Sequence, residues 1–323
     1  MAVSGLVKSY GSKPAVDGLS FEVERGEVFG LLGPNGAGKT TTVETLEGYR
    51  RPDSGTARVL GLDPVGDRRE LTPRIGVMLQ EGGLYPGIRP LEALRLFAAY
   101  YDDAEPPDSL LDLVGLRPAA GTLVRRLSGG QKQRLSLALA LIGKPEVVFL
   151  DEPTAGMDPH ARLTTWEVIG GLRERGATVI LTTHAMDEAE RLCDRVAIID
   201  GGRLVALGTP GELTRAAGDG ETRFTAAPGL DTAGLAGHLL LAPAAVVESK
   251  PGEYVVQAAP SPELVAALTA WLRDHGVALG DLRAGRRSLE EVFLQVTSEP
   301  SVAGGEAEEA GVAGKRRRRG RRG

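Results

Sequence analysis

A single cysteine, Cys193, is all that the 323-residue chain contains, so no internal disulfide can form and a reducing compartment such as the cytosol suits it. Long apolar runs are missing too: none comes near the ~18 to 20 residues of a membrane-spanning helix. The opening Met1-Ala2-Val3-Ser4 has neither a basic flank nor a long apolar stretch, so no secretory signal is expected. Basic residues are scarce outside the C-terminus. Residues 315–323 hold one Lys and six Arg with no acid; without them 31 basic residues face 43 acidic ones, a net of −12 where the whole chain has −5. So acidic a body excludes a general nucleic-acid-coating protein, because phosphate binding needs basic surface. Hydrophobic residues at 42% and charged residues at 25% exclude a fully disordered or collagen-like chain. The length suits one large domain or two ordinary ones.

Up to about residue 210 the chain alternates short apolar runs with Gly-rich turns and helical stretches, which predicts an α/β domain. Strands are expected at Val28 to Leu32, Ile75 to Leu79, Val147 to Leu150, Val179 to Thr182 and Val196 to Ile199. They are apolar throughout rather than alternating, as parallel strands covered on both faces should be. Between the second and third lies a mainly helical insertion, about residues 83–145, with Leu91 to Tyr101 and Gln131 to Ile142 as its clearest helices. After Gly208-Thr209-Pro210-Gly211 the composition shifts to Ala, Gly and Pro, and a small α+β module is expected over 216–298. There Glu253 to Ala258 and Val277 to Leu282 read as strands. Ser261-Pro262-Glu263 opens a helix, with Ser as N-cap and Pro at the first helical position. Ser288-Leu289-Glu290-Glu291 fits a capping box ahead of Val292, Phe293 and Leu294. Trp271 and Phe293 read as core of this module or as a dimer contact, and Cys193 as a packing residue. Residues 299–323 read as a disordered tail with a basic end.

Gly33-Pro34-Asn35-Gly36-Ala37-Gly38-Lys39-Thr40 matches the phosphate-binding loop pattern completely, entered by a strand and left by the helical segment Thr41 to Leu46. Its glycines let backbone N–H groups turn inward around phosphates; Lys39 adds a cation for the β and γ groups, and the Thr40 hydroxyl suits Mg²⁺. A second half of the same site is expected where the strand Val147 to Leu150 ends in Asp151-Glu152. Carboxylates at the C-terminal end of a parallel strand face the ligand crevice. Asp151 suits the Mg²⁺ shell and Glu152 a base that polarises the attacking water. Together the halves imply a nucleoside triphosphatase.

Leu127-Ser128-Gly129-Gly130-Gln131 stands at the start of a helix, where an N-cap alone accounts for it, although the same geometry also makes an anion site. With the loop at 33–40 and Val147-Val148-Phe149-Leu150-Asp151-Glu152-Pro153, this segment resembles the ATP-binding cassette of ABC transporters. The resemblance implies a P-loop NTPase of RecA-like core with an added antiparallel β part and a helical insertion. It spans residues 3 to about 210. By it, Tyr10 places a ring against adenine, Thr41 joins residues 33–40 in binding the nucleotide, and Gln80 touches Mg²⁺ and the water. His184 contacts the γ-phosphate, and Asp158 crosses a dimer interface. Each of these has a blander reading on its own, such as packing, a solvated loop or a helix start. Seven elements in order and spacing outweigh them. Ala155-Gly156-Met157-Asp158 departs from the family's more usual Ser-x-Leu-Asp, though the Asp is present.

Family cassettes pair head to tail around two ATP molecules, each meeting residues 33–40 of one copy and Ser128, Gly129, Gly130 and Gln131 of the other. The implied protein is the ATP-hydrolysing subunit of an exporter, a homodimer on the cytoplasmic side of the cell membrane, docked on a separate integral-membrane permease and using ATP and Mg²⁺. Residues 288–294, and Gln80-Glu81-Gly82-Gly83-Leu84-Tyr85-Pro86, are similar to cassettes of the daunorubicin-exporter type, so the cargo would be a drug-like, antibiotic or lipid-like small molecule. The alternatives are an importer subunit or a soluble ATPase acting on ribosomes or nucleic acid. Against the latter stand the single cassette and the absence of sustained heptads between loop and signature. Nucleic acid is not expected as a partner. The basic end reads as solvated, with anionic lipid headgroups as its alternative contact.

Overall fold

The computed structural model describes residues 1–78, 83, 85–216, 221–285 and 288–298. Its central sheet has the spatial order Ile75–Met78, Val147–Asp151, Thr178–Thr182, Val28–Leu32, Arg195–Asp200, Arg203–Gly208. The first five strands are parallel and the last is antiparallel. Every residue of Val28–Leu32 and of Thr178–Thr182 is buried, as unbroken apolar strands require. Alternation along each strand divides its side chains between two cores. Phe29, Leu31, Phe149 and Ile180 enter one; Val28, Leu32, Val148, Leu150, Val179 and Leu181 enter the other. Each such side chain removed from water contributes about 1.5 to 3 kcal/mol before entropy is counted.

A three-stranded antiparallel sheet, ordered Lys13–Glu22, Ala2–Tyr10, Ser54–Arg58, closes the first core. Leu6, Leu19 and Phe21 point into it, and the Phe21 ring stacks on Phe29 with centroids 5.2 Å apart. Helices close the second core: Leu94 from Pro90–Ala98, Leu135 and Leu137 from Gly129–Leu141, and Val168 and Ile169 from Pro159–Glu174. All the C-terminal ends of the parallel strands lie along one edge, which is where an open α/β sheet binds its ligand.

Residues 222–284 build a second sheet, antiparallel, in the order Val246–Lys250, Glu253–Val256, Thr222–Thr225, Leu282–Ala284. With the helices Thr232–His238 and Pro262–Asp274 the chain order is βαββαβ, the ferredoxin-like arrangement. Leu235, Leu268 and Trp271 pack against Phe224, Tyr254 and Val256 from one face of this sheet. Ser261 Oγ accepts from the Leu264 N–H at 3.1 Å, with Pro262 at the first helical position.

Two readings are corrected. Residues 277–281 are not a strand: the N–H groups of Gly280 and Asp281 donate to the O and Oγ1 of Thr225, and the ladder starts only at Leu282. The last helix, Leu289–Ser298, does not join the core of the small sheet. Leu289 and Val292 are buried in the core of the nucleotide-binding part, Phe293 packs against that core, and the Leu289 N–H donates to Glu190 Oε1 at 2.6 Å. Ser288 and Glu291 do form the reciprocal cap that the sequence calls for. Cys193 is buried in the same core, and burial pushes its thiol up.

Candidate nucleotide site

The central strand Val28–Leu32 delivers the chain into residues 33–38, and the helix Lys39–Leu46 carries it away. Two glycines are required by close approach. A Cβ on Gly33 would lie 2.3 Å from the Ile199 carbonyl oxygen; one on Gly38 would lie 2.2 Å from the Ala15 oxygen, at a φ of +102°. Lys39 is buried and its Nζ donates to the carbonyls of Gly33 and Pro34 at 2.7 and 3.1 Å, so the ammonium is held within the curl of the loop. Burial pushes Lys39 below its ordinary value, while Glu152 and Asp151 work against that shift. A groove of about 350 Å³ opens beside it, lined by Tyr10, Asn35, Gly36, Gly38, Lys39, Thr40, Thr41, Asp151 and Glu152 among others.

The carboxylates arrive from the strand Val147–Asp151, two places along the sheet from the loop's strand. Burial raises the Asp151 carboxyl, and the Thr182 hydroxyl, which donates to Asp151 Oδ1, opposes this. Glu152 adopts a left-handed φ of 49°, a costly conformation for a residue that carries a Cβ and one that clusters at functional sites. Its N–H donates to Thr182 O at 3.0 Å and to Thr182 Oγ1 at 3.2 Å, which aims the carboxylate at the groove. Glu152 Oε1 lies 3.2 Å from His184 Nδ1. The hydrogen bonds make Thr182 a supporting residue that sequence reading passed over. Its signal was position: Thr182 is the register partner of Asp151 in the neighbouring strand. Gln133 was passed over as well; its Nε2 donates to Glu152 O at 3.0 Å from the helix that follows the signature.

Tyr10 is 46% exposed at the groove's rim, and the Arg50 guanidinium, itself held by Glu44, lies over its ring at 5.3 Å from the centroid. Ser128 caps the helix Gly129–Leu141 through a reciprocal box with Gln131: the Gln131 N–H donates to Ser128 Oγ at 3.2 Å and the Ser128 N–H to Gln131 Oε1 at 2.9 Å. Asp158 caps the helix Pro159–Glu174, its Oδ1 accepting from the Ala161 N–H at 3.0 Å, a bond that draws its carboxyl below the ordinary range. Within one chain, Ser128, Gly129, Gly130, Gln131 and Asp158 stand outside the groove that Lys39 lines. Gln80 lies outside the described residues, as does the basic end.

A phosphate loop on the central strand, with an acid pair ending a second parallel strand, defines a P-loop nucleoside triphosphatase. The model of the family described as ABC transporter matches residues 16–155. The chain is 41% identical over 311 residues to a Nod factor export ATP-binding protein I of Ralstonia nicotianae, covering 92% of this chain and 93% of that protein. It is 38% identical over 306 residues to the daunorubicin/doxorubicin resistance ATP-binding protein DrrA of Streptomyces peucetius, covering 92% of each. Solved structures agree in fold. A dimeric ATP-binding cassette in a post-hydrolysis state with ADP and Pi aligns with a TM-score of 0.60 at 25% identity, over 64% of this chain and 97% of that one. An ATP-binding subunit of an ABC transporter gives 0.61 at 30% identity, over 67% and 92%. The chain belongs to the ATP-binding subunits of the ABC transporter family, and it is an ATPase.

Proposed function

We propose that this protein is the motor of an exporter: two copies close head to tail on ATP, and closing and reopening pull on a separate integral-membrane permease. One observation carries the export reading. The likeness to an export protein and to a drug-resistance protein runs along 92% of the chain, past the cassette and through the small sheet and final helix. None of the helices among the described residues is long and apolar enough to cross a membrane, which suits a subunit seated peripherally on the cytoplasmic face of a permease. The cargo class follows by analogy: a drug-like, antibiotic or lipid-like small molecule.

Head-to-tail pairing is supported by the separation of Ser128–Gln131 from the groove within a single chain. In the pair, the N–H groups of Gly129 and Gly130 and the Ser128 hydroxyl would complete the γ-phosphate site of the partner copy. Residues 33–41 would cradle the phosphates, Lys39 would neutralise charge on the β and γ groups, and Tyr10 would stack on adenine. Glu152 would draw the proton of the attacking water, with His184 beside it at the γ-phosphate, and Asp158 would reach across the dimer. Mg²⁺ fits this donor set. Thr40 and Asp151 both line the groove and offer hard oxygens, and Mg²⁺ favours one or two such protein ligands with phosphate and water supplying the rest. When bound, the ion neutralises charge between the phosphates.

The test is Glu152→Gln, which should bind ATP, lower kcat by ~10² to 10⁴-fold and trap a dimer visible by gel filtration. A monomer in the presence of ATP and Mg²⁺, or rapid turnover, would refute the scheme. Co-purification with a permease, followed by cargo-stimulated ATPase, tests the export assignment separately.

A further inference from the structure

Glu188 is fully buried yet is not among the residues that line the groove. It belongs to the helix Met186–Leu192, which begins two residues after His184. Its Oε1 accepts two hydrogen bonds, from Thr154 Oγ1 at 2.8 Å and from Trp166 Nε1 at 2.9 Å. Its Oε2 has no hydrogen-bond partner among the described residues. A buried carboxylate is costly to desolvate, so packing alone would favour an apolar side chain here.

The three residues come from three pieces of the site. Thr154 lies in the turn between Glu152 and Asp158. Trp166 lies on the helix Pro159–Glu174, whose N-cap is Asp158. Glu188 lies on the helix behind His184. The Trp166 ring is overlaid by the guanidinium groups of Arg162 and Arg191, each 4.9 Å from its centroid. Arg162 Nη2 also donates to both carboxylate oxygens of Asp187, at 2.7 and 2.9 Å, giving a second tie between the same two helices.

We infer that Glu188 is a positioning residue, a buried acceptor that fastens the Asp158 turn to the His184 helix so that both reach the nucleotide together. The inference rests on the roles proposed above for Asp158 and His184. Neither Thr154 nor Glu188 lines the groove, so loosening the tie should leave ATP binding alone. It does move the groups that act on the γ-phosphate, and a misplacement of about 1 Å at a reacting centre costs up to about a hundredfold.

The experiment is steady-state ATPase of the full-length protein. Glu188→Leu removes the acceptor and Thr154→Val one donor; each should lower kcat about tenfold while KM for ATP stays within about twofold. Glu188→Gln keeps an acceptor oxygen and should restore most of the rate. Wild-type kcat in folded Thr154→Val, a KM that rises in step with the loss of kcat, or a Gln variant no better than Leu overturns the inference. Should Glu188→Leu fail to fold, Thr154→Val decides alone. Glu152→Gln and His184→Ala, run alongside, separate the two ideas. If they are slow and Thr154→Val is not, only the tie is wrong; if Glu152→Gln is fast, the proposed mechanism is wrong.

Discussion

His184 Nδ1 stands 3.2 Å from Glu152 Oε1, with the glutamate largely buried and the histidine side chain 69% exposed. The acid therefore lines the groove largely shielded from solvent, while the imidazole beside it is open to solvent. Glu152 owes its place to Thr182, whose carbonyl and hydroxyl accept its N–H.

From this pairing, His184→Ala should slow hydrolysis about a hundredfold with little change in ATP affinity, which residues 33–41 dominate. Adding it to Glu152→Gln should cost little more than Glu152→Gln alone, because groups that act as a unit are not additive. Single-turnover ATPase of the two single variants and the double variant checks this.

Gly38→Ala should abolish nucleotide binding and cost several kcal/mol of stability. The added methyl would meet the Ala15 oxygen at 2.2 Å, and the φ of +102° is one that alanine resists. Chemical denaturation and binding of a labelled ATP analogue measure the two effects. A wild-type midpoint with intact binding would contradict the geometry.

Glu47 gives a pH dependence. Burial, reinforced by Asp151 and Glu44, pushes its carboxyl from an ordinary 4.5 to about 8. The folded state therefore holds this proton more tightly than the unfolded chain does. The stability it contributes is whole below about pH 4.5 and is lost as the pH climbs through about 8, a swing of about 5 kcal/mol at most. Glu47→Gln fixes the neutral form, so it should be more stable than the wild type at about pH 9 and equal to it at about pH 4. Urea denaturation at both values would show the crossover; parallel curves would exclude Glu47 as the titrating group.

Removing residues 300–323 should leave kcat and KM for ATP unchanged, because every residue proposed to act on nucleotide lies between Tyr10 and His184. Binding of the full-length and truncated proteins to anionic vesicles then isolates what the seven basic residues add.

Much of the central sheet was legible because each parallel strand is a contiguous apolar run, and burial on both faces needs no other signal. The final helix shows where legibility ended. Its capping box was visible, but Leu289 and Val292 pack on a core whose other residues are far away in the chain. Apolar spacing says that a helix has a buried face, never which core receives it. The strand Leu282–Ala284 was misplaced by a few residues for a similar reason: Thr225, on a distant strand, takes the N–H groups of Gly280 and Asp281.

The sequence by itself determined the phosphate loop, the Asp151-Glu152 pair and the capped signature helix. Their chemistry is written in consecutive residues: glycines where no Cβ fits, one lysine, two acids at a strand's end. Only the tertiary structure decided that Thr182 steadies both acids, that Gln133 holds the Glu152 carbonyl, and that Glu188 joins Thr154 to Trp166. Those contacts depend on strand register and helix packing between segments tens of residues apart, and a buried hydrogen bond leaves no periodic trace along the chain.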